Sequence, residues 1–203
     1  MRYHRSDIVE RAIGVLDMYG LPDLSMRRLA GELGLQPSAL YHHFANKQTL
    51  LAAVADELLV RGAKPDGPAD QPWDDRVVAL ANELRDAMLA YRDGAELIAT
   101  VHAFGLGAHA PVERLTVAIR AAGFDEEFAG SAAITIVYFV FGHVSDEQTH
   151  LQANSAGAID EAPLAARGSE SFALGLAQIL DGVRLRLPAQ RPTASSSSST
   201  AKS

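Results

Sequence analysis

The chain has 203 residues, 48% hydrophobic and 21% charged, an ordinary globular balance with length for one large domain or two small ones. It contains no cysteine, which excludes a disulfide scaffold, a thiolate zinc site and a cysteine nucleophile together. The net charge of −7 is uneven: residues 1–50 hold six Lys/Arg against five Asp/Glu, a net of +1, and the rest hold twelve against twenty, a net of −8, the profile of a small DNA-touching head on an acidic body or of many enzymes.

Helical punctuation runs from end to end, so the expected fold is all-α. Ser6 reads as an N-cap, followed by Ile8, Ala12, Val15, Leu16 and Tyr19 at helical spacing and stopped by Gly20. Ser25 caps a short second segment with Leu29 and Leu33 on one face, closed by Gly34. Pro37 opens a third, from which Leu40 and Phe44 face inward, and Asn46 caps a fourth carrying Leu50, Leu51, Val54 and Leu58. Gly, Pro and Asp crowd Ala63–Gln71, which marks a linker. Beyond it the periodicity predicts helices over 72–90, 94–104, 111–122, 126–150 and 169–187, with a loop over 152–168. The Ser/Pro-rich tail, 188–203, is expected to be disordered. No unbroken apolar run reaches the roughly 18 residues of a spanning helix, the longest lying around Ala132–Gly142, and the opening residues lack an apolar signal region. The expectation is a cytoplasmic protein with no membrane partner.

The informative segment is Leu24–Lys47, LSMRRLAGELGLQPSALYHHFANK. Two short helices separated by Gly34-Leu35 form a helix-turn-helix, whose second helix suits the roughly 12 Å wide major groove of DNA. With Leu40 and Phe44 anchored inside, Ser38, Ala39, Tyr41, His42 and His43 fall on the outward arc. Ala39 is small enough to touch a thymine methyl, and Tyr41, His42 and His43 can donate to phosphates or base edges. Arg27 can reach a guanine edge or a phosphate, and Lys47 can hold a phosphate with the amides of the next helix. On spacing alone an ordinary helical hairpin with a solvated face is an equal alternative. The exposed aromatic cluster Tyr41-His42-His43 argues against it.

These strings carry a resemblance. An opening helix IVERAIGVLDMYG, then LSMRRLAGELGL, then PSALYHHFANKQTLL resembles the N-terminal domain of the TetR family of transcriptional regulators. The resemblance implies that the second motif helix reads an operator and that Tyr41 and Lys47 bind phosphate, with Arg27, Gln36, Pro37, Ser38, Ala39, His42 and His43 as further DNA contacts. It continues through PWDDRVVALANELRDAMLAYRDGAELI, GFDEEFAGSAAITIVYFVFGHVSDEQTH and ESFALGLAQILDGVRLRL, which are similar to the tetracycline-repressor-like branch. That branch holds a magnesium-chelated drug through His, Asn, Phe and His positions that correspond here to Gly62 or Ala63, Leu80, Leu84 and Ile98; a glutamate near the metal's water shell is Asp146. Of these five only Asp146 offers a donor to a hard octahedral cation, so magnesium–tetracycline is not the expected effector.

The body should hold a small-molecule effector in a mostly apolar pocket, for which Leu80, Leu84, Met88, Ile98, His102, Phe104, Tyr138 and Phe141, with His143, are the candidates; plain core packing is the alternative for each. His102, His109 and Asp146 do not demand a metal site, and no metal or cofactor is expected. The stripes Ala132, Ile136, Phe139, Val140, His143 and Phe172, Leu176, Ile179, Leu180, Val183 could pair with their copies in a homodimeric four-helix bundle or close a monomeric core. The domains are then a helix-turn-helix head over 1–50 and an effector-binding and dimerisation body over 51–187, joined by a connecting helix over 46–62. The function expected is a ligand-responsive repressor that binds a palindromic double-stranded operator as a dimer. An activator, or a protein-interaction module that kept the fold, is the alternative. No Ser-His-Asp order, phosphate loop or carboxylate pair suggests catalysis.

Overall fold

The structure, a computed structural model, describes residues 3–155 and 168–187. The tail and most of the loop expected before the last helix lie outside the described residues. Among those residues there are nine helices and no strand.

The head begins with α1 (Arg5–Tyr19), which buries Ile8, Ala12, Val15 and Leu16. Its N-cap lies two residues earlier than expected: the His4 amide donates to the Asp7 carboxylate at 2.7 Å, while Ser6 already lies in the first turn. α2 (Met26–Leu33) opens where Ser25 Oγ accepts from the Arg28 amide at 3.1 Å and ends at Gly34, whose φ of 66° is left-handed and glycine-favouring. α3 (Pro37–Tyr41) is shorter than expected. His42 to Phe44 leave the helix, yet Phe44 remains buried beside Leu40, Leu16, Leu29 and Leu50, so its anchoring role does not need the helix. α4 (Lys47–Gly62) starts at Asn46, whose Oδ1 accepts from the Thr49 amide at 2.8 Å while Thr49 Oγ1 accepts in return from the Asn46 amide at 3.3 Å.

α4 is shared between head and body: it packs on α1 of the head and on α5 (Trp73–Leu89) and α6 (Gly94–Ala103) of the body. Its Arg61 guanidinium pairs with Glu57 one turn back and with Glu10 of α1, which raises its proton affinity above the ordinary arginine range. α7 (Ala110–Arg120), α8 (Glu126–Ser155) and α9 (Ser169–Arg184) complete the body. Trp73 sets its ring edge-on to Phe124 at 6.1 Å, and Phe124 stacks on Phe128, so the sole tryptophan packs the start of α5 against the α7–α8 turn.

α8 is the central helix, in contact with α5, α6, α7 and α9, and it runs five residues beyond the expected end. By length and composition it is apolar enough to cross a membrane, which counting unbroken runs misses because Ser, Thr, Tyr and His punctuate it. In the fold 44% of its most apolar window is buried among the other helices.

The two apolar stripes lie mostly inside the subunit. Ile136 and Val140 of α8 and Phe172, Leu176 and Leu180 of α9 are buried, and Phe139 stacks on Phe172 at 5.4 Å. Gly175 makes this approach possible, since a Cβ there would come within 2.7 Å of the Phe139 ring. Within the subunit the two helices meet where Phe139 stacks on Phe172, as the closed-core alternative for these stripes expects. The exposed residues on the remaining side of the pair are Ser131, Thr135, Tyr138 and Gly142 on α8, and Ala173, Leu174 and Ala177 on α9.

Candidate nucleic-acid interface and effector cavity

The turn at Gly34, the fixed φ of Pro37 and the buried Leu40 orient α3 across the surface of the head. Gln36, Ser38, Tyr41, His42 and His43 are exposed, with Pro37 and Ala39 half-buried among them. Arg27, exposed on α2, and Lys47, half-buried at the start of α4, flank them. Among the described residues none of the side chains of Arg27, Gln36, Ser38, Tyr41, His42, His43 or Lys47 makes an internal hydrogen bond or ion pair. The neighbouring Arg28, by contrast, is consumed locally, bonding Asp23 at 2.7 Å and lying 3.7 Å over the Tyr19 ring. The head therefore carries a contiguous set of donors not committed to its own fold, in the place where a helix-turn-helix meets a groove.

A second polar site holds the head to the body, and the sequence reading did not identify it as one. The α5–α6 turn places Asp93 in a left-handed conformation, φ 55°. Its Oδ2 accepts from the Leu21 amide of the head at 2.7 Å and its Oδ1 accepts from Gln152 Nε2 of α8 at 2.8 Å. Gly20 is required beside it: φ is +85°, and a Cβ there would lie 2.6 Å from the same carboxylate. Arg92 adds two further ties, its amide donating to Asp17 at 3.2 Å and its Nη1 to the Met18 carbonyl at 3.4 Å. The turn itself is fixed by buried Gln148, whose Oε1 accepts from the Ala95 amide at 3.1 Å while Nε2 donates to the carbonyls of Met88 and Tyr91.

Between α4, α5 and α7 lies a cavity of about 460 Å³. Leu80 and Leu84 of the expected effector residues line it, together with Leu59, Val60, Ala87 and Pro111. Its charged lining, Asp56, Lys64, Asp66, Glu83 and Arg114, was not anticipated, because it gathers from segments far apart in sequence. The other candidates lie elsewhere. Met88 and Ile98 are fully buried core, Phe141 is core beside the His102 ring at 5.3 Å, and Phe104 and Tyr138 are 65% and 61% exposed. His102 is half-buried with Nδ1 3.2 Å from the Ala108 carbonyl, and His143 lies 3.0 Å from Ser171 Oγ and 3.9 Å from the Glu147 carboxylate. Both are therefore fitted into the packing of the body. Among the described residues no group of three or more His, Asp or Glu converges to hold a metal ion. Leu80 and Leu84 give the cavity no oxygen or nitrogen donor at those positions.

Residues 8–54 match the sequence profile of bacterial regulatory proteins of the tetR family, and residues 64–167 match that of the tetracyclin repressor-like C-terminal domain. The chain is 35% identical over 198 residues to the class A tetracycline repressor from transposon 1721 of Escherichia coli, an alignment covering 88% of this chain and 89% of that one. Its fold is similar to that of BioQ from Mycobacterium smegmatis, with a TM-score of 0.82 and 41% identity over 91% of this chain and 99% of that one. A structure of BioQ with its double-stranded DNA operator superposes with a TM-score of 0.75 at 38% identity, again over 91% of this chain and 99% of that one.

Proposed function

Because the chain belongs to the TetR family of bacterial transcriptional regulators, we propose that it is a homodimeric repressor that binds a palindromic operator and releases it when a small organic effector fills the body cavity. The observation that carries this reading is the outward face of α3, whose polar side chains have no partner among the described residues, in a chain whose fold is similar to that of BioQ, which has been solved with its double-stranded DNA operator. In this reading Ser38, Ala39, His42 and His43 face base edges, with Gln36 and Pro37 at the entry to the groove. Arg27, Tyr41 and Lys47 hold phosphates and fix register. Two heads must meet half-sites about 34–36 Å apart or a multiple of that, which a dimer built on the exposed sides of α8 and α9 supplies. The head then comprises residues 1–50 and the body 51–187, and the protein acts in the cytoplasm, where its operator is.

The route from effector to operator is α4. Its N-terminus presents Lys47 near the DNA face, and its C-terminal half both packs on α1, through Arg61 and Glu10, and supplies Asp56, Leu59 and Val60 to the cavity wall. An effector that binds better when α4 is displaced lowers the operator-competent population in proportion to that difference in affinity. In this reading the effector is something other than a magnesium-chelated tetracycline, which is supported by the apolar Leu80 and Leu84 on the cavity wall.

The test is selection of operators from a random duplex library with the purified protein at low and at moderate salt. A palindromic consensus retained at the higher salt is the expected result. Enrichment of no sequence, with weak binding that vanishes as salt rises, overturns the reading, since that behaviour is phosphate attraction alone.

A further inference from the structure

Resting on the reading of the body as an effector-binding domain, we propose that the effector is an amine: an apolar molecule carrying a protonated amino group that pairs with Asp56. The argument is one of charge. Five charged residues line the cavity, three carboxylates and two cations. Both cations are already engaged: Lys64 Nζ bonds Asp86 at 2.7 Å, and Arg114 grips Glu83 with Nη1 and Nη2 and lies 3.6 Å from Asp66. Glu83 is buried and also accepts from the Lys64 amide at 2.9 Å, while Asp66 takes Arg76 at 3.3 Å. Alone of the three carboxylates, Asp56 pairs with no cation among the described residues; its Oδ1 accepts one hydrogen bond, from the Ala108 amide at 2.8 Å.

An anionic ligand meets a lining with a net charge of −1 and could gain a guanidinium only by taking Arg114 from Glu83. That would strand a buried carboxylate, an expensive outcome in a low-dielectric wall. A cation meets an available carboxylate and disturbs no existing pair. The rest of the lining, Leu59, Val60, Leu80, Leu84, Ala87 and Pro111, receives an apolar body, and about 460 Å³ lies within the ordinary range of small-molecule sites.

Asp56 is also placed to report occupancy. It sits on α4, and the amide it holds belongs to Ala108, a buried residue with left-handed φ of 57° in the α6–α7 connection. The same residue's carbonyl lies 3.2 Å from His102 Nδ1, so this connection is held on one side by α4 and on the other by α6. An ammonium at Asp56 binds the same carboxylate that holds the Ala108 amide, so occupancy bears directly on the tie between α4 and this loop.

Three probes of one skeleton separate the possibilities: tryptamine, tryptophol and indoleacetate, which carry a cation, a neutral hydroxyl and an anion. Each is titrated calorimetrically into the full chain and into Asp56→Asn, which keeps an oxygen acceptor for the Ala108 amide. The expected order is tryptamine, then tryptophol, then indoleacetate, with tryptamine about tenfold tighter than indoleacetate, the scale of one charge-assisted hydrogen bond. In Asp56→Asn the tryptamine advantage is lost while tryptophol binds as before, which shows the cavity intact. Indoleacetate binding as tightly as tryptamine, tryptamine binding unchanged in Asp56→Asn, or no binding of tryptamine overturns the amine assignment. Operator affinity of the ligand-free protein, read separately by fluorescence anisotropy, reports on the repressor reading whatever the probes do.

Discussion

Around α3 the exposed side chains of Ser38, Tyr41, His42 and His43 make no internal hydrogen bond or ion pair among the described residues, whereas the body buries Glu83, Glu147 and Gln148 and provides each with at least two polar partners. The contrast follows from where water is. An exposed polar group loses nothing by having no internal partner, so the head can keep donors ready for DNA at no cost to its own stability. A buried one must be matched or it destabilises the fold, so body polar groups are committed to structure and to coupling between helices. The same kind of residue therefore signals recognition in one half of the chain and architecture in the other. Substitution should separate the two: body changes should move stability, and head changes should move operator affinity alone.

The sharpest version of the contrast is the Arg85–Glu147 pair, which joins α5 to α8 with Arg85 Nε donating to Glu147 at 3.0 Å and the guanidinium 5.5 Å over Phe172. Their side chains are 13% and 6% exposed. Arg85→Leu leaves the buried Glu147 carboxylate with only His143, 3.9 Å away, and should cost about 3–5 kcal/mol in denaturant unfolding. Adding Glu147→Leu should recover most of that loss, because an apolar pair removes the stranded charge. A single variant as stable as the parent would break the comparison. Next in size, Gln148→Leu strands the Ala95 amide, removes a donor from the Met88 and Tyr91 carbonyls, and should cost about 2–3 kcal/mol. Operator affinity should fall as well, because this turn carries Asp93 and its bond to the Leu21 amide of the head.

In the head the expected effects reverse. His42→Ala should relax base preference at one operator position by about 1–3 kcal/mol, read by competition between duplexes. Lys47→Ala should weaken all sequences alike and lower the slope of log affinity against log salt by about one unit. Both should leave unfolding free energy within about 0.5 kcal/mol of the parent. A large loss of stability would mean that these side chains support the fold after all.

The two halves also differ in how far the sequence alone revealed them. The head is written in local punctuation: Ser25, Gly34, Pro37 and Asn46 each fix a helix end through contacts a few residues away, so its helix order was legible. Even there, α3 stops at Tyr41, because Phe44 is buried from the following turn. In the body, periodicity revealed the helices but could not say what each face meets. α8 is contacted by four other helices, so no single stripe marks its inside, and its Phe139 closes on α9. The cavity was legible only at Leu80 and Leu84. Asp56, Glu83 and Arg114 converge through tertiary packing, which no local pattern encodes.

The smallest expected effect lies where the contrast between exposed and buried groups is weakest. Arg184 near the end of α9 reaches Asp74 in the first turn of α5, with Nη2 at 2.7 Å from the carboxylate and side-chain exposures of 41% and 24%. The guanidinium holds the Asp74 pKa below the ordinary carboxylate value. A carboxyl that is more acidic in the folded chain stabilises the fold above its unfolded pKa of about 3.9, and that contribution disappears as pH falls through the lower folded value. Because Arg184 is more than a third exposed, water and salt screen the pair, and Asp74→Asn should cost about 0.5 kcal/mol at neutral pH. The difference between parent and variant should shrink toward zero in unfolding curves taken below about pH 3. A difference that instead grew on acidification would assign the coupling of α5 and α9 to something other than this ion pair.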